Sequence, residues 1–409
     1  MELAPTPYQL SNGNTLYCFP SDALDIIKLD FTFEAGSAYQ PTKLCAHAAN
    51  KLFSEASQKY SVKEISEFFD YRGIAVEQTI DTFTGSFSVY SLRRYAEELF
   101  PLLAEIIQHP IFPQGEFEVY CNKRRQQLLS SFQKTNFLAR NLFYEALYGK
   151  EHPLGCFATV EDLEKLTLEE VRNFYAQRYQ LSNAHLVLGG SCDEALLKSF
   201  DKHFGSLANS GRCERVEVQS PKPQSQRRIH KTMPNSVQST IRIGRLLPFE
   251  WDDPRYAQFM VLSTVLGGYF GSRLMSNVRE DKGYTYGIYS QTQIYRGSIA
   301  FYITSEVGNN VVEPALKEIY HEITRLQDEL VGEEELDIVR HYMEGDFIRS
   351  VDGIFECSER YRQMFATDVD ERFTDLYFNA LKTVTPEQLR ELARQVLAPE
   401  QLVEVVVGN

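Results

Sequence analysis

Hydrophobic and polar positions along this chain follow two rhythms in turn. Ile27, Leu29, Phe31 and Phe33 alternate with Lys28, Asp30, Thr32 and Glu34, the period-two pattern of a strand with one buried and one polar face. Ahead of it, residues 8–19 are interrupted by Asn12-Gly13, a dipeptide that favours a tight hairpin turn. Helical spacing follows: a helix is predicted from beyond Pro41 to Phe53. A second starts with Ser61 as N-cap and Glu64 completing a capping box, and it ends at Gly73. Strands are predicted over 74–78 and 84–92. The helix over 95–108 carries Leu99, Leu102, Leu103, Ile106 and Ile107 on one side, and His109-Pro110 breaks it. A long helix runs from Gln114 past Leu129, another covers 138–148, and a helix over Leu168–Arg178 leads to a strand over 184–190.

The plan then restarts. Val237, Ser239, Ile241 and Ile243 alternate with polar residues, Pro254 introduces a helix, and strands over 284–295 and 298–304 precede further helices. Near the ends of the two halves, Leu-Thr-Leu-Glu-Glu-Val-Arg from Leu166 matches Val-Thr-Pro-Glu-Gln-Leu-Arg from Val384. Thr167 pairs with Thr385, Glu169 with Glu387, Arg172 with Arg390 and Gln177 with Gln395 at one offset, which points to duplication. Strands separated by several consecutive helices indicate an α+β class rather than a doubly wound parallel sheet. The expected organisation is two tandem homologous domains, 1–212 and 236–409, each a mostly antiparallel sheet with helices on one face. A polar, proline-bearing linker over 213–235 joins them.

Composition narrows the function classes. A length of 409 residues exceeds one ordinary core, and a net charge of -14 with no basic patch argues against a nucleic-acid or anionic-membrane partner. The N-terminus lacks a basic and an apolar segment of the signal-peptide kind, and no apolar run reaches membrane-spanning length. The 7 cysteines are scattered and never spaced C-x-x-C, as suits reduced thiols. A cytoplasmic location is therefore expected.

The candidate chemistry lies on the first predicted helix. His47-Ala48-Ala49-Asn50-Lys51 has the outline of the inverted zinc motif H-x-x-E-H, with Asn50 in place of the glutamate and Lys51 in place of the second histidine. An amide cannot take a proton from water, and an ammonium repels a metal. A lone histidine on a helix is ordinarily a packed or surface residue. Cys45, two residues from His47, does not face it, so a buried thiol is expected there. Gly267, Gly268 and Gly271 do not follow G-x-G-x-x-G order and read as a close-packed turn rather than a phosphate cradle. The aromatic stretch 284–295 reads as sheet packing whose exposed edge is suited to adding a peptide strand.

Several blocks in order resemble the pitrilysin/insulinase family, in the branch of processing-peptidase subunits and paired bacterial peptidases. They are Glu34-Ala35-Gly36-Ser37, the His47 helix, His109-Pro110-Ile111-Phe112, His152-Pro153-Leu154-Gly155, the Leu-Thr-x-Glu helix starts, Leu266 to Leu274, and Val278-Arg279-Glu280-Asp281-Lys282-Gly283-Tyr284-Thr285-Tyr286. The resemblance covers nearly the whole chain and implies the metallohydrolase fold of processing peptidases. Active members add a glutamate ligand from the long helix, yet no acidic residue stands between Glu118 and Glu145 here. The second half offers no substitute, since His321 and His341 stand in no ligand spacing. The resemblance further implies that Arg279 and Tyr286 match an arginine and tyrosine that hold the substrate's carbonyl. This yields the expectation of a non-catalytic subunit without metal or other cofactor of its own. Its partner would be a zinc-bearing family member with H-x-x-E-H, and its substrate a peptide or unfolded polypeptide. Two alternatives are a peptide-binding or scaffold protein of the same fold, and an active zinc peptidase with atypical ligands.

Overall fold

The predicted strands assemble into two sheets. In the computed structural model, which describes residues 4–21, 23–207, 215, 217, 218, 220–223 and 226–409, the first sheet contains β1 (Thr6–Gln9), β2 (Thr15–Pro20), β3 (Ile26–Phe33), β4 (Ala75–Ile80), β5 (Gly85–Leu92) and β6 (His185–Gly190). Their spatial order is β1-β2-β6-β3-β5-β4. The second sheet contains β7 (Arg228–Thr232), β8 (Gln238–Leu246), β9 (Thr285–Tyr295), β10 (Ser298–Gly308) and β11 (Val403–Gly408), ordered β7-β11-β8-β10-β9. With β1 set aside the two orders are the same. In each sheet one pair is parallel, β2 with β6 and β7 with β11, and the other pairs are antiparallel. The α+β class and the duplicated plan are both present in the strands.

The repeated Leu-Thr segments have a local cause. Thr167 and Thr385 are N-caps of the helices Leu168–Arg178 and Pro386–Val396, and each closes a capping box with the third helical residue, Glu170 or Gln388. Ser61 and Glu64 form the same box, and Gly73 ends that helix at φ 62°, a conformation glycine adopts without strain.

Packing divides the chain into two compact units that are not contiguous. One comprises 1–129, 158–217 and 350–366; the other comprises 130–157, 218–349 and 367–409. Each sequence half therefore contributes one helical segment to the unit built on the other half's sheet. In the second unit, helix Thr135–Tyr148 sets Ala139, Phe143, Ala146, Leu147 and Tyr148 against Ala300, Val403, Val405 and Val407. In the first, helix Ile354–Thr367 places Cys357 and Tyr361 on Phe19 and Val187. Each large apolar side chain so buried is worth roughly 1.5–3 kcal/mol.

The fold departs from the sequence reading in two places. The polar face of β3 is buried too: Lys28, Asp30, Thr32 and Glu34 all lie in the interior. Lys28 Nζ is 3.1 Å from both Asp30 Oδ2 and Glu359 Oε2, and Arg362 donates to Glu359 Oε2 at 3.0 Å and to Ser86 Oγ at 3.0 Å. A segment about 330 residues away in sequence thus satisfies charges that alternation alone assigned to solvent. The second departure concerns 213–235. Part of that stretch lies outside the described residues, and Arg228–Thr232, expected within the linker, is strand β7. It pairs in parallel with β11 at the sheet edge, where only Ile229 joins the core.

Candidate functional site

The zinc-motif positions sit on helix Cys45–Leu52, and each has a structural partner within the first unit. His47 and Lys51, one turn apart, share a face. His47 Nδ1 lies 3.0 Å from the hydroxyl of Tyr120, on the long helix Gln114–Ser131, with the rings 5.6 Å apart. Burial, with help from the charges of Arg124 and Lys51, lowers the His47 pKa to about 4, so the imidazole is neutral at pH 7. Lys51 Nζ donates to the Gln78 carbonyl of β4 at 2.9 Å. Asn50 is fully buried; its side-chain amide donates to the Ser86 carbonyl of β5 at 3.2 Å, and its main-chain carbonyl accepts from the Gln78 side chain.

The acid that a hydrolytic site needs is not beside this imidazole. The long helix turns Tyr120 and Arg124 toward His47, while Glu116 acts on Glu55, whose carboxyl burial and Glu116 together push up. Among the described residues no three His, Cys, Asp or Glu side chains converge in a way that fits a metal. One imidazole, one amide and two cations do not fit a zinc ion, which takes neutral nitrogen or anionic ligands. Cys45 is a buried thiol whose Sγ reaches the Glu170 carbonyl at 3.4 Å, and burial first, then Glu170, raises its pKa to about 12. It is no nucleophile.

The other two candidates lie in the second unit, Arg279 half-buried and Tyr286 exposed. Arg279 belongs to the helical turn Met275–Asp281, and Gly283, at φ 65°, reverses the chain into β9. Its guanidinium lies 4.7 Å from the ring centroid of the exposed Phe270. Tyr286 stands on a β-bulge: Ile288 pairs with Ser305 and Thr285 with Val307, so Tyr286 and Gly287 together oppose Glu306. The extra residue turns Tyr286 off the buried face of Ile288 and Ser290 and leaves it 89% exposed. Thr285 Oγ1 braces the bulge, 2.9 Å from the Gly287 carbonyl and 2.7 Å from that of Glu306. Arg279 and Tyr286 do not hydrogen-bond each other. Among the described residues neither side chain donates a hydrogen bond, and free donors are what an oxygen gaining negative charge would require.

The glycine-rich turn is packing, as expected. A Cβ on Gly267 would lie 2.8 Å from both the Cβ and the backbone nitrogen of Ser290, so only glycine lets this segment approach β9. His341 is tied to its own helix through the Asp337 carbonyl at 2.8 Å. Sequence reading missed the residues that neutralise the motif, Tyr120 and the main chain of β4 and β5. Tyr120 and Arg124 stand at helical i, i+4 spacing, a signal that could have been used.

Comparison with known proteins places this geometry. Residues 24–152 match the insulinase domain of peptidase family M16, and residues 165–343 match the peptidase M16 inactive domain. A Bacillus subtilis protein described as the uncharacterized zinc protease YmxG is 22% identical over 403 residues, spanning 98% of this chain and 97% of that one. A Helicobacter pylori protein described as a non-peptidase homolog is 20% identical over 367 residues, spanning 88% and 83%. In fold, the crystal structure of a peptidase M16 inactive domain from Pseudomonas fluorescens matches with a TM-score of 0.88 at 22% identity, over 99% of this chain and 98% of that one. A chain of complex III2 from Candida albicans matches with a TM-score of 0.74 at 12% identity, over 98% and 95%. With both domain types matched in tandem, the chain belongs to the insulinase family of peptidases, family M16.

Proposed function

We propose that this chain is the non-catalytic subunit of a two-chain zinc-dependent peptidase. Its partner carries H-x-x-E-H and the metal, and this chain contributes Arg279 and Tyr286 to hold and polarise the scissile carbonyl of a peptide substrate. One observation carries the reading: the zinc-motif positions are spent on structure, whereas the half-buried arginine and the exposed tyrosine are, among the described residues, unpaired with any acid. The match to an M16 inactive domain and the naming of the Helicobacter relative as a non-peptidase homolog support the first part. A half-buried guanidinium and an exposed phenol support the second, because the hydrogen bonds of both donors strengthen as charge develops on an oxygen. The test is co-expression with a family member bearing the full motif, followed by peptide cleavage assays. The mixture should cleave faster than the partner alone, and Arg279→Ala should lower the mixture's rate on the order of 100-fold, the scale of losing one oxyanion donor. Equal rates for partner and mixture, or an unchanged rate with Arg279→Ala, would sink the proposal.

A second reading is a peptide-holding protein without any part in hydrolysis. It is favoured by β9, which forms one edge of the second sheet and carries the exposed Tyr286 and Tyr289. Stable peptide binding with no cleavage in any pairing would select it.

A further inference from the structure

The second unit contains a guanidinium with no acid. Arg242 lies on the face of β8 that helix Thr135–Tyr148 covers, with its guanidinium 4.7 Å from the ring centroid of Tyr302 and 6.0 Å from that of Phe143. Its Nε and Nη1 are buried and have no hydrogen-bond partner. The groups that act on it electrostatically are Tyr302, Tyr144, Tyr295 and a second cation, Arg140, which is exposed on the same helix. The tyrosines are already engaged with one another or with neighbours: Tyr295 donates to Tyr144 at 2.9 Å and Tyr302 to Gln291 at 3.1 Å.

Three other arginines whose side chains are largely buried are each paired with an acid. Arg273 forms a bidentate pair with Glu335 at 2.8 Å and 2.8 Å, Arg296 lies 3.6 Å from Asp368, and Arg362 binds Glu359. In a protein with 56 acidic and 42 basic residues, a carboxylate for Arg242 was readily available from the chain. Leaving buried N–H donors of a cation unpaired is costly, and such a group calls for an external partner.

We propose that Arg242 and Arg140 form a binding site for a carboxylate, supplied by the acidic side chain or C-terminus of a peptide, or by a free small dicarboxylate. The guanidinium rests on the Tyr302 ring, and a planar carboxylate matches guanidinium N–H groups in pairs. Arg140 adds a second positive charge from the exposed side. Arg242, Thr304 and Tyr289 occupy one rung of the sheet, which leads from the site to the free edge at β9. The choice of a peptide as one source rests on the peptide-holding role proposed above; the carboxylate site does not.

The test uses the full chain alone, without a partner, so a failure of co-expressed cleavage leaves it intact. Anisotropy titrations compare labelled alanine-rich peptides that differ only as Glu against Gln and as free acid against amide, with succinate as competitor. The acidic peptide should bind about tenfold tighter than its neutral match, the scale of one charge-assisted pair. Arg242→Gln should abolish that preference, and Arg140→Gln should reduce it. Displacement by succinate assigns the carboxylate alone as ligand; acidic preference without displacement assigns a chain-borne carboxylate. Should Arg242→Gln fail to fold, the exposed Arg140→Gln carries the comparison. Equal binding of Glu and Gln peptides, together with no succinate-induced rise in melting temperature, overturns the proposal.

Discussion

Helix Ile354–Thr367 meets the first sheet through charge. Lys28 bridges Asp30 and Glu359, Ser88 donates to Asp30 Oδ1 at 2.5 Å, and Arg362 reaches Ser86. Helix Thr135–Tyr148 meets the second sheet through rings: Phe143 stands 6.2 Å edge-on to Tyr302, Tyr144 is 6.0 Å from Tyr295, and Tyr148 hydrogen-bonds Ser298 at 3.0 Å. The strand orders match, so topology does not decide which chemistry seals an exchanged helix. Charge requires one pairing and register, whereas rings tolerate small shifts because dispersion is non-directional.

The largest expected effect comes from breaking the charged seal. Lys28→Ala removes the cation paired directly with the buried Asp30 and should cost about 4 kcal/mol in a denaturant titration. Replacing Lys28, Asp30 and Glu359 together with apolar residues should instead be near neutral, and a loss as large as the single change would show that the ionic pattern itself stabilises. On the aromatic side, Phe143→Ala should cost roughly 3 kcal/mol through the cavity it leaves, with no dependence on salt.

The smallest effect separates the two seals by pH. His185, stacked on Phe365 at 4.3 Å beneath the charged helix, has its pKa lowered to about 4 by burial and then by Arg362. The unfolded chain binds this proton near the ordinary 6.5 while the folded chain does not. Stability is therefore full above that value and declines as pH falls toward 4, by on the order of 2 kcal/mol. His47 adds a similar decline over the same window. Glu359 follows at lower pH: burial opposes its ionisation, but Arg362 and Lys28 hold it down to about 2, so its contribution is present above 4.5 and lost toward 2. Amide exchange across pH 7 to 4 should weaken β2 and β6 before β8 and β11; equal weakening of both sheets would remove the distinction.

Much of the fold was legible because its signals are local. Alternation marked β3 and β8, Asn12-Gly13 marked the first hairpin, and the paired threonines marked two helix starts that now prove to be capping boxes. The burial of Lys28 and Asp30 was not legible, since their partner Glu359 lies in the other half of the chain. Strand β7 was hidden for a related reason: one edge strand buries little, and Arg228, Lys231 and Thr232 read as loop. At the candidate site, the substitutions at Asn50 and Lys51 were visible as letters. Their new duties were not, because Ser86 and Gln78 receive them through main-chain carbonyls that no side-chain pattern encodes.

The exchange of helical segments also bears on synthesis. A chain emerging from the ribosome N-terminus first has all six strands of its first sheet once Gly190 is out, yet the segment that seals the polar face of β3 spans 350–366. Until then a lysine and an aspartate wait at an unfinished surface, and helix Thr135–Tyr148 waits for strands not yet made. Native closure is thus deferred until residues 350–366 are made for the first unit and strand β11 for the second, so a chain cut before residue 350 is expected to yield no folded half.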